Sequence, residues 1–155
     1  MSQDRALQLR EATPADLATL AGFACAMARE TEARVLDRAT VERGIAAVLD
    51  DPSRGRYLVA ERGGEAVGTL MLTYEWSDWR AATWWWIQSV YVSPAARRQG
   101  VFRALYRHVE QAAAADPGVC GLRLYVERDN RDAQSTYAAL GMRESHYRLF
   151  ERALP

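Results

Sequence analysis

The nine residues WWWIQSVYV, Trp84 to Val92, constrain this chain more than any other stretch. Three consecutive tryptophans, an isoleucine, two valines and a tyrosine would crowd a helix at χ1, whereas a pleated strand accommodates them. Alternation puts Trp84 and Trp86 on one face and Trp85 on the other. Bulky apolar groups on both faces need cover on both, and a face that no helix reaches would be hidden by a second copy of the chain. A layered fold with this strand among its central ones is expected, and with it a homodimer.

The strand runs into SPAARRQG and then a segment, Val101 to Ala115, whose Val101, Leu105, Val109 and Ala112 recur near helical spacing. A helix N-terminus exposes backbone N–H groups and the positive end of the peptide dipoles. Gly100 lets a ligand approach the backbone, and Arg97 and Arg98 add charge, which together describe an anion site. The same residues also describe a solvated basic loop whose glycine only turns the chain. A single glycine is not a Rossmann fingerprint, and without a following lysine and hydroxyl residue it is not a P-loop.

The remaining pattern reads as β-α-α-β-β-β-α-β-α-β. Leu7–Arg10 is a first strand, and Thr13-Pro14 opens a helix with the stripe Leu17, Leu20, Ala21, Ala24 and Ala28. A second helix spans Arg38–Leu49. Strands at Arg56–Glu61 and Val67–Glu75 flank the hairpin turn RGGEA, and Trp76–Ala82 reads as a connection. Leu122, Leu124 and Val126 alternate in a later strand, Asn130–Leu140 is a last helix closed by Gly141, and Tyr147–Phe150 is strand-like. One domain over residues 5–151, an α/β sandwich around a mixed sheet, fits the length of 155 residues.

Twenty basic and twenty acidic residues leave no surplus for a nucleic-acid partner. The N-terminal MSQDRALQLR has no apolar core of a signal peptide, and no run approaches the roughly 18 apolar residues of a membrane span. A cytoplasmic protein is the expectation. Cys25 and Cys120 read as core filling rather than a disulfide pair. His108 and His146 are isolated, so no metal site is expected.

Val90-Tyr91-Val92-Ser93-Pro94 followed by Arg97-Arg98-Gln99-Gly100-Val101 resembles the central motif of the GNAT family of N-acetyltransferases. That motif has a glutamine or arginine, two free positions, a glycine, one free position, then glycine or alanine. Downstream, Asn130 and Tyr137-Ala138-Ala139-Leu140-Gly141 resemble the family's last helix. The resemblance implies a mixed, mostly antiparallel central sheet splayed at a β-bulge near Ser89 or Val90. It also implies that acetyl-CoA is the cosubstrate, its pyrophosphate on the turn from Arg98 to Phe102. Val90, Tyr91 and Val92 would run beside the pantetheine arm, and Asn130 would approach the cofactor. Tyr137 would be the general acid to the leaving sulfur, and the Val90 N–H an oxyanion donor. Phe102 departs from the pattern, standing where glycine or alanine is usual. Its ring turns into the core or narrows the phosphate site.

Several relatives carry an acidic base in the strand before the cofactor, where this chain has Ile87-Gln88-Ser89. Glu30, Glu32, Glu75, Asp78 and Glu127 are the other candidates, and the base stays unassigned. TYEWSDWRA resembles a loop of the diamine acetyltransferases. Glu30, Glu32, Tyr74, Glu75, Trp76, Trp79 and Gln88 are accordingly candidates for binding a small cationic amine. The expected reaction is direct attack of that amine on acetyl-CoA in a ternary complex. A protein N-terminus or lysine as acceptor, a CoA-binding sensor without turnover, and a structural homodimer are the competing readings.

Overall fold

The computed structural model describes residues 6–155. Its elements run β1 (Gln8–Glu11), α1 (Leu17–Glu32), α2 (Arg38–Asp50), β2 (Arg56–Arg62), β3 (Glu65–Ser77), β4 (Ala82–Val92), α3 (Val101–Ala115), β5 (Val119–Arg123) and α4 (Arg131–Ala139). Short 3₁₀ turns at Pro14–Asp16 and Pro94–Ala96 lead towards α1 and α3. The chain divides into two compact units, one ending at Leu124 and the other formed by Tyr125–Pro155.

In the first unit the five strands pair in chain order, antiparallel from β1 to β4 and parallel between β4 and β5. This is the mixed, mostly antiparallel α/β sheet expected. Tyr57, Leu58, Val59 and Ala60 of β2 are all buried, so both faces of the sheet are covered there. Tyr57 and Val59 join Leu20, Ala21 and Ile45 from α1 and α2 in one core. The opposite face of the same strands carries Leu58, Ala60, Leu70 and Leu72 by alternation. At Gly68, on that face, an added Cβ would stand 2.8 Å from Val101 Cγ1, so α3 begins directly against the sheet.

The base of β1 is locked by charge. The Arg10 guanidinium spans both carboxylate oxygens of Asp16 at 2.8 Å each and reaches Glu61 Oε1 at 2.6 Å. Asp16, only 8% exposed, also accepts the Thr13 backbone N–H at 2.7 Å in a capping box that starts the helical segment. The Arg10 fork holds the Asp16 carboxyl below the ordinary aspartate range.

Three sequence expectations need correction. The β3–β4 hairpin is longer than expected, with strands reaching Ser77 and resuming at Ala82, so the connection is only Asp78–Ala81. Trp76↔Thr83 and Ser77↔Ala82 pairing extends it, and Ala81 closes the turn at φ 47°. The strand expected at Leu122–Val126 lies earlier, at Val119–Arg123, because its partners are Thr83 to Trp86 of β4. Tyr147–Phe150 is not a strand. Its alternation finds no ladder among the described residues, and Tyr147, Leu149 and Phe150 are exposed.

Candidate functional site

The centre of β4 contains the irregularity that a binding site needs. Thr69 faces Tyr91 and Met71 faces Gln88, so Leu70 alone stands against both Ser89 and Val90. Two residues against one is a β-bulge, and Ser89 takes a left-handed φ of 50° within it. The parallel ladder with β5 runs over Thr83–Trp86 only. Past that point β4 continues to Val92 along β3, and its other backbone edge lies beyond the β5 ladder. The bulge lies past the end of that parallel ladder.

The turn that follows has an alternating backbone. Arg98 (φ 61°) and Gly100 (φ 78°) are left-handed, whereas Gln99 between them is not. Alternation of this kind turns successive N–H groups towards one concavity. α3 then starts at Val101, so the first N–H groups of the helix adjoin that concavity without intrahelical acceptors. Val101 is 2% exposed and is the side chain that enters the core. Phe102 does not turn fully into the core. It is half-buried and lies along α3 towards Tyr106, with ring centroids 6.2 Å apart.

The two arginines of the turn have different surroundings. Arg97 is partnered at the surface: Nε donates to the Val92 carbonyl at 2.9 Å and Nη2 to Glu30 Oε2 at 2.6 Å. The guanidinium also lies over the Tyr91 ring, 5.5 Å from its centroid. Arg98 is exposed and has no side-chain partner among the described residues. Gln99 is held at both ends, accepting from Arg62 at 2.5 Å and donating to the Ala95 carbonyl at 2.9 Å. Glu30, a candidate for holding a cationic acceptor, is thus engaged by Arg97 and by the Tyr91 hydroxyl at 3.0 Å. These donors lower its pKa, Arg97 first, which leaves it a poor base.

Glu75 is engaged in the same way. It accepts from Arg123 Nη1 at 2.6 Å and Trp86 Nε1 at 3.1 Å, and its pKa falls in consequence, mainly through Arg123. Arg123 also stacks over Trp84 at 3.9 Å, with Arg80 at 5.1 Å from the same ring. Gly121 makes room for that ring, since a Cβ there would lie 2.4 Å from Trp84 Cζ3. Gln88 bonds Thr73 across the strands. Trp85, on the other face, is buried and meets Tyr74 edge-on at 6.4 Å. Trp76 and Trp79 are exposed on the hairpin arm, with Asp78 between them capping the Trp79 N–H at 3.0 Å. Glu32 is exposed at the end of α1.

A small crevice of about 20 Å³, room for little more than a water molecule, lies between α1 and the sheet at the bulge. Phe23, Ala24 and Met27 line its helix side, and Tyr57, Thr69, Ser89 and Tyr91 its sheet side. Phe23, Met27 and Tyr57 were not among the sequence candidates. Leu20 and Ala24 belong to the α1 stripe read from the sequence as core, and Met27 lies outside that stripe. Burial pushes the Tyr57 phenol up from its ordinary value. Cys25 and Cys120 are free thiols, half-buried rather than core.

In the second unit, Asn130 caps α4 by accepting the Ala133 N–H at 3.1 Å. The helix closes with Gly141 N–H to Ala138 and Met142 N–H to Tyr137, both 3.0 Å, with Gly141 at φ 97°. That is a Schellman closure, and it fixes the backbone on which Tyr137 stands. Burial raises the Tyr137 phenol above its ordinary pKa, so it keeps its proton at neutral pH. Glu127 accepts the Asp129 N–H at 2.7 Å in the loop before this helix. No group of three or more histidine, cysteine or acidic residues is placed to hold a metal among the described residues. No helix among them is long and apolar enough to cross a membrane.

Comparison with known proteins agrees with this architecture. A protein of Clostridium difficile 630, named a possible acetyltransferase, is 40% identical with a TM-score of 0.91, covering 96% of this chain and 98% of its own. An integron cassette protein from the mobile metagenome of Cole Harbour Salt Marsh is 26% identical with a TM-score of 0.83, over 96% and 91%. An aminoglycoside acetyltransferase from an uncultured soil metagenomic sample shares the fold at 19% identity, with a TM-score of 0.72 over 96% and 99%. A search of curated proteins gave no match. The model of the acetyltransferase (GNAT) family matches residues 19–142, and the chain belongs to that family.

Proposed function

We propose that this acetyltransferase moves the acetyl group of acetyl-CoA to the primary amine of a small acceptor. The observation that carries the reading is the alternating turn from Arg98 to Gly100 at the start of α3, beside the bulged half of β4. Backbone N–H groups of Arg98 to Phe102 would hold the pyrophosphate, with Arg98 contributing charge from the surface. The β4 edge at Val90 and Val92 would pair with the amides of the pantetheine arm, as an added strand does. The Val92 carbonyl already accepts from Arg97, so its role in that pairing is shared.

The chemistry needs a neutral amine, a donor for the developing oxyanion and a proton for the departing sulfur. The amine attacks the thioester carbonyl, the tetrahedral oxyanion takes the Val90 N–H, and collapse expels the thiolate of CoA. Tyr137 would supply its proton, and Asn130 would hold α4 in place beneath it. The nitrogen loses its proton to solvent, directly or through a water held by Gln88 or Ser89. Neither Glu30 nor Glu75 suits that task, since each is held by an arginine.

A cationic acceptor remains the preferred class, drawn by Glu32 and Asp78 and by the exposed faces of Trp76 and Trp79. Cytoplasmic location and a homodimer in which the β3–β4 arm is covered belong to the same proposal. The test is release of free thiol from acetyl-CoA against polyamines, lysine-like amino acids, aminoglycosides and peptide N-termini. Turnover with one of these amines is expected. CoA binding with no turnover across the panel would favour the sensor reading instead.

A further inference from the structure

Arg97 occupies the first motif position, yet its guanidinium faces Glu30 of α1 rather than the concavity of the turn. Glu30 Oε2 accepts Arg97 Nη2 at 2.6 Å, and Glu30 Oε1 accepts the Tyr91 hydroxyl at 3.0 Å. Arg97 Nε closes the ring on the Val92 carbonyl at 2.9 Å. The last turn of α1, the end of β4 and the first residue of the turn are therefore tied by one carboxylate. Phe23 of α1 adds a packed contact to the same strand, its ring 5.2 Å from Tyr91. Two of the five guanidinium N–H donors are committed in this way, and they turn the group towards α1 and β4.

From this we infer that the Glu30–Arg97 pair positions the anion turn, fixing where Arg98 begins its left-handed excursion, and that Arg98 is the arginine that meets the anion. The inference rests on the turn being the CoA site, and it assigns to Glu30 a task other than acceptor binding. Both side chains are about two-fifths exposed, so a pair of this kind shifts an equilibrium by only about threefold. Position, not charge at the ligand, is what it supplies.

The test uses the full chain and CoA, with affinity read by calorimetry and acetyl-CoA kinetics read alongside. Glu30→Gln and Arg97→Ala should each weaken CoA binding about threefold, and the double variant should be no weaker than either single one. KM for acetyl-CoA should rise by the same factor, kcat falling less. The reversed pair, Glu30→Arg with Arg97→Glu, should recover part of the loss. If Arg97→Ala weakens binding while Glu30→Gln is silent, or if the two losses multiply, Arg97 touches the phosphate itself and the inference is wrong. Failure of the wild-type chain to bind CoA would instead remove the reading beneath it. A thermal midpoint for each variant separates these outcomes from misfolding.

Discussion

Replacing Gly100 by alanine separates a glycine that only turns the chain from one that lets a ligand reach the backbone. Gly100 sits at φ 78° and ψ 13°, and a Cβ built there meets nothing within 4 Å. Steric conflict with the protein is therefore absent, and the stability cost is that of a left-handed alanine, about 1 kcal/mol. With an m-value of roughly 2 kcal/mol/M in urea, the unfolding midpoint should fall by about 0.5 M. The same methyl would stand at the mouth of the concavity, or the turn would relax out of its alternating form. Either outcome removes N–H donors from the pyrophosphate. KM for acetyl-CoA should rise about tenfold, equivalent to roughly 1.4 kcal/mol, in protein that is still folded at the assay temperature. A variant with the lowered midpoint and an unchanged KM would show that Gly100 is a hinge and that the anion binds elsewhere.

Other positions test neighbouring parts of the account. Gly68→Ala places a methyl 2.8 Å from Val101 Cγ1 and 3.2 Å from the Tyr91 carbonyl oxygen. It should cost about 1–3 kcal/mol by overpacking and loosen the start of α3, read by urea unfolding and CoA affinity together. Asp16→Asn breaks the bidentate bond to Arg10 and should cost about 1.5–3 kcal/mol at neutral pH. Because the folded Asp16 pKa is lowered, its contribution is present above the ordinary carboxylate range and lost as pH falls through the folded value. Unfolding curves of variant and wild type should accordingly converge in acid. Tyr137→Phe should lower kcat at least tenfold with little change in CoA affinity, and an unchanged pH–rate profile would remove its acid role. Arg98→Ala should weaken CoA binding more at low salt than at high salt.

The strand from Trp84 was legible because three tryptophans and the β-branched residues after it suit little else, and the amphipathic period of α3 was equally plain. Gly141 and Asn130 announced the ends of α4 through capping chemistry that acts within a few residues. What stayed hidden was long-range. Glu30 and Arg97 lie 67 residues apart, and Glu75 and Arg123 48 apart, so no local pattern shows that an arginine engages each carboxylate. The shift of β5 to Val119–Arg123 has the same origin, since its register is chosen by β4 rather than by its own alternation. Tyr147–Phe150 alternates as a strand would, yet alternation without a neighbouring edge forms none. Phe102 was the clearest local departure from the family pattern, and its place along α3 follows from Val101 taking the buried position against Gly68.

The central claim is that the turn from Arg98 to Phe102 holds the pyrophosphate of CoA. Backbone amide chemical shifts followed during titration with CoA, and separately with pantetheine, address it directly. The amides of Arg98, Gln99, Gly100, Val101 and Phe102 should move strongly with CoA and barely with pantetheine, which should bind more weakly. Saturable CoA binding that leaves those five amides unmoved would contradict it.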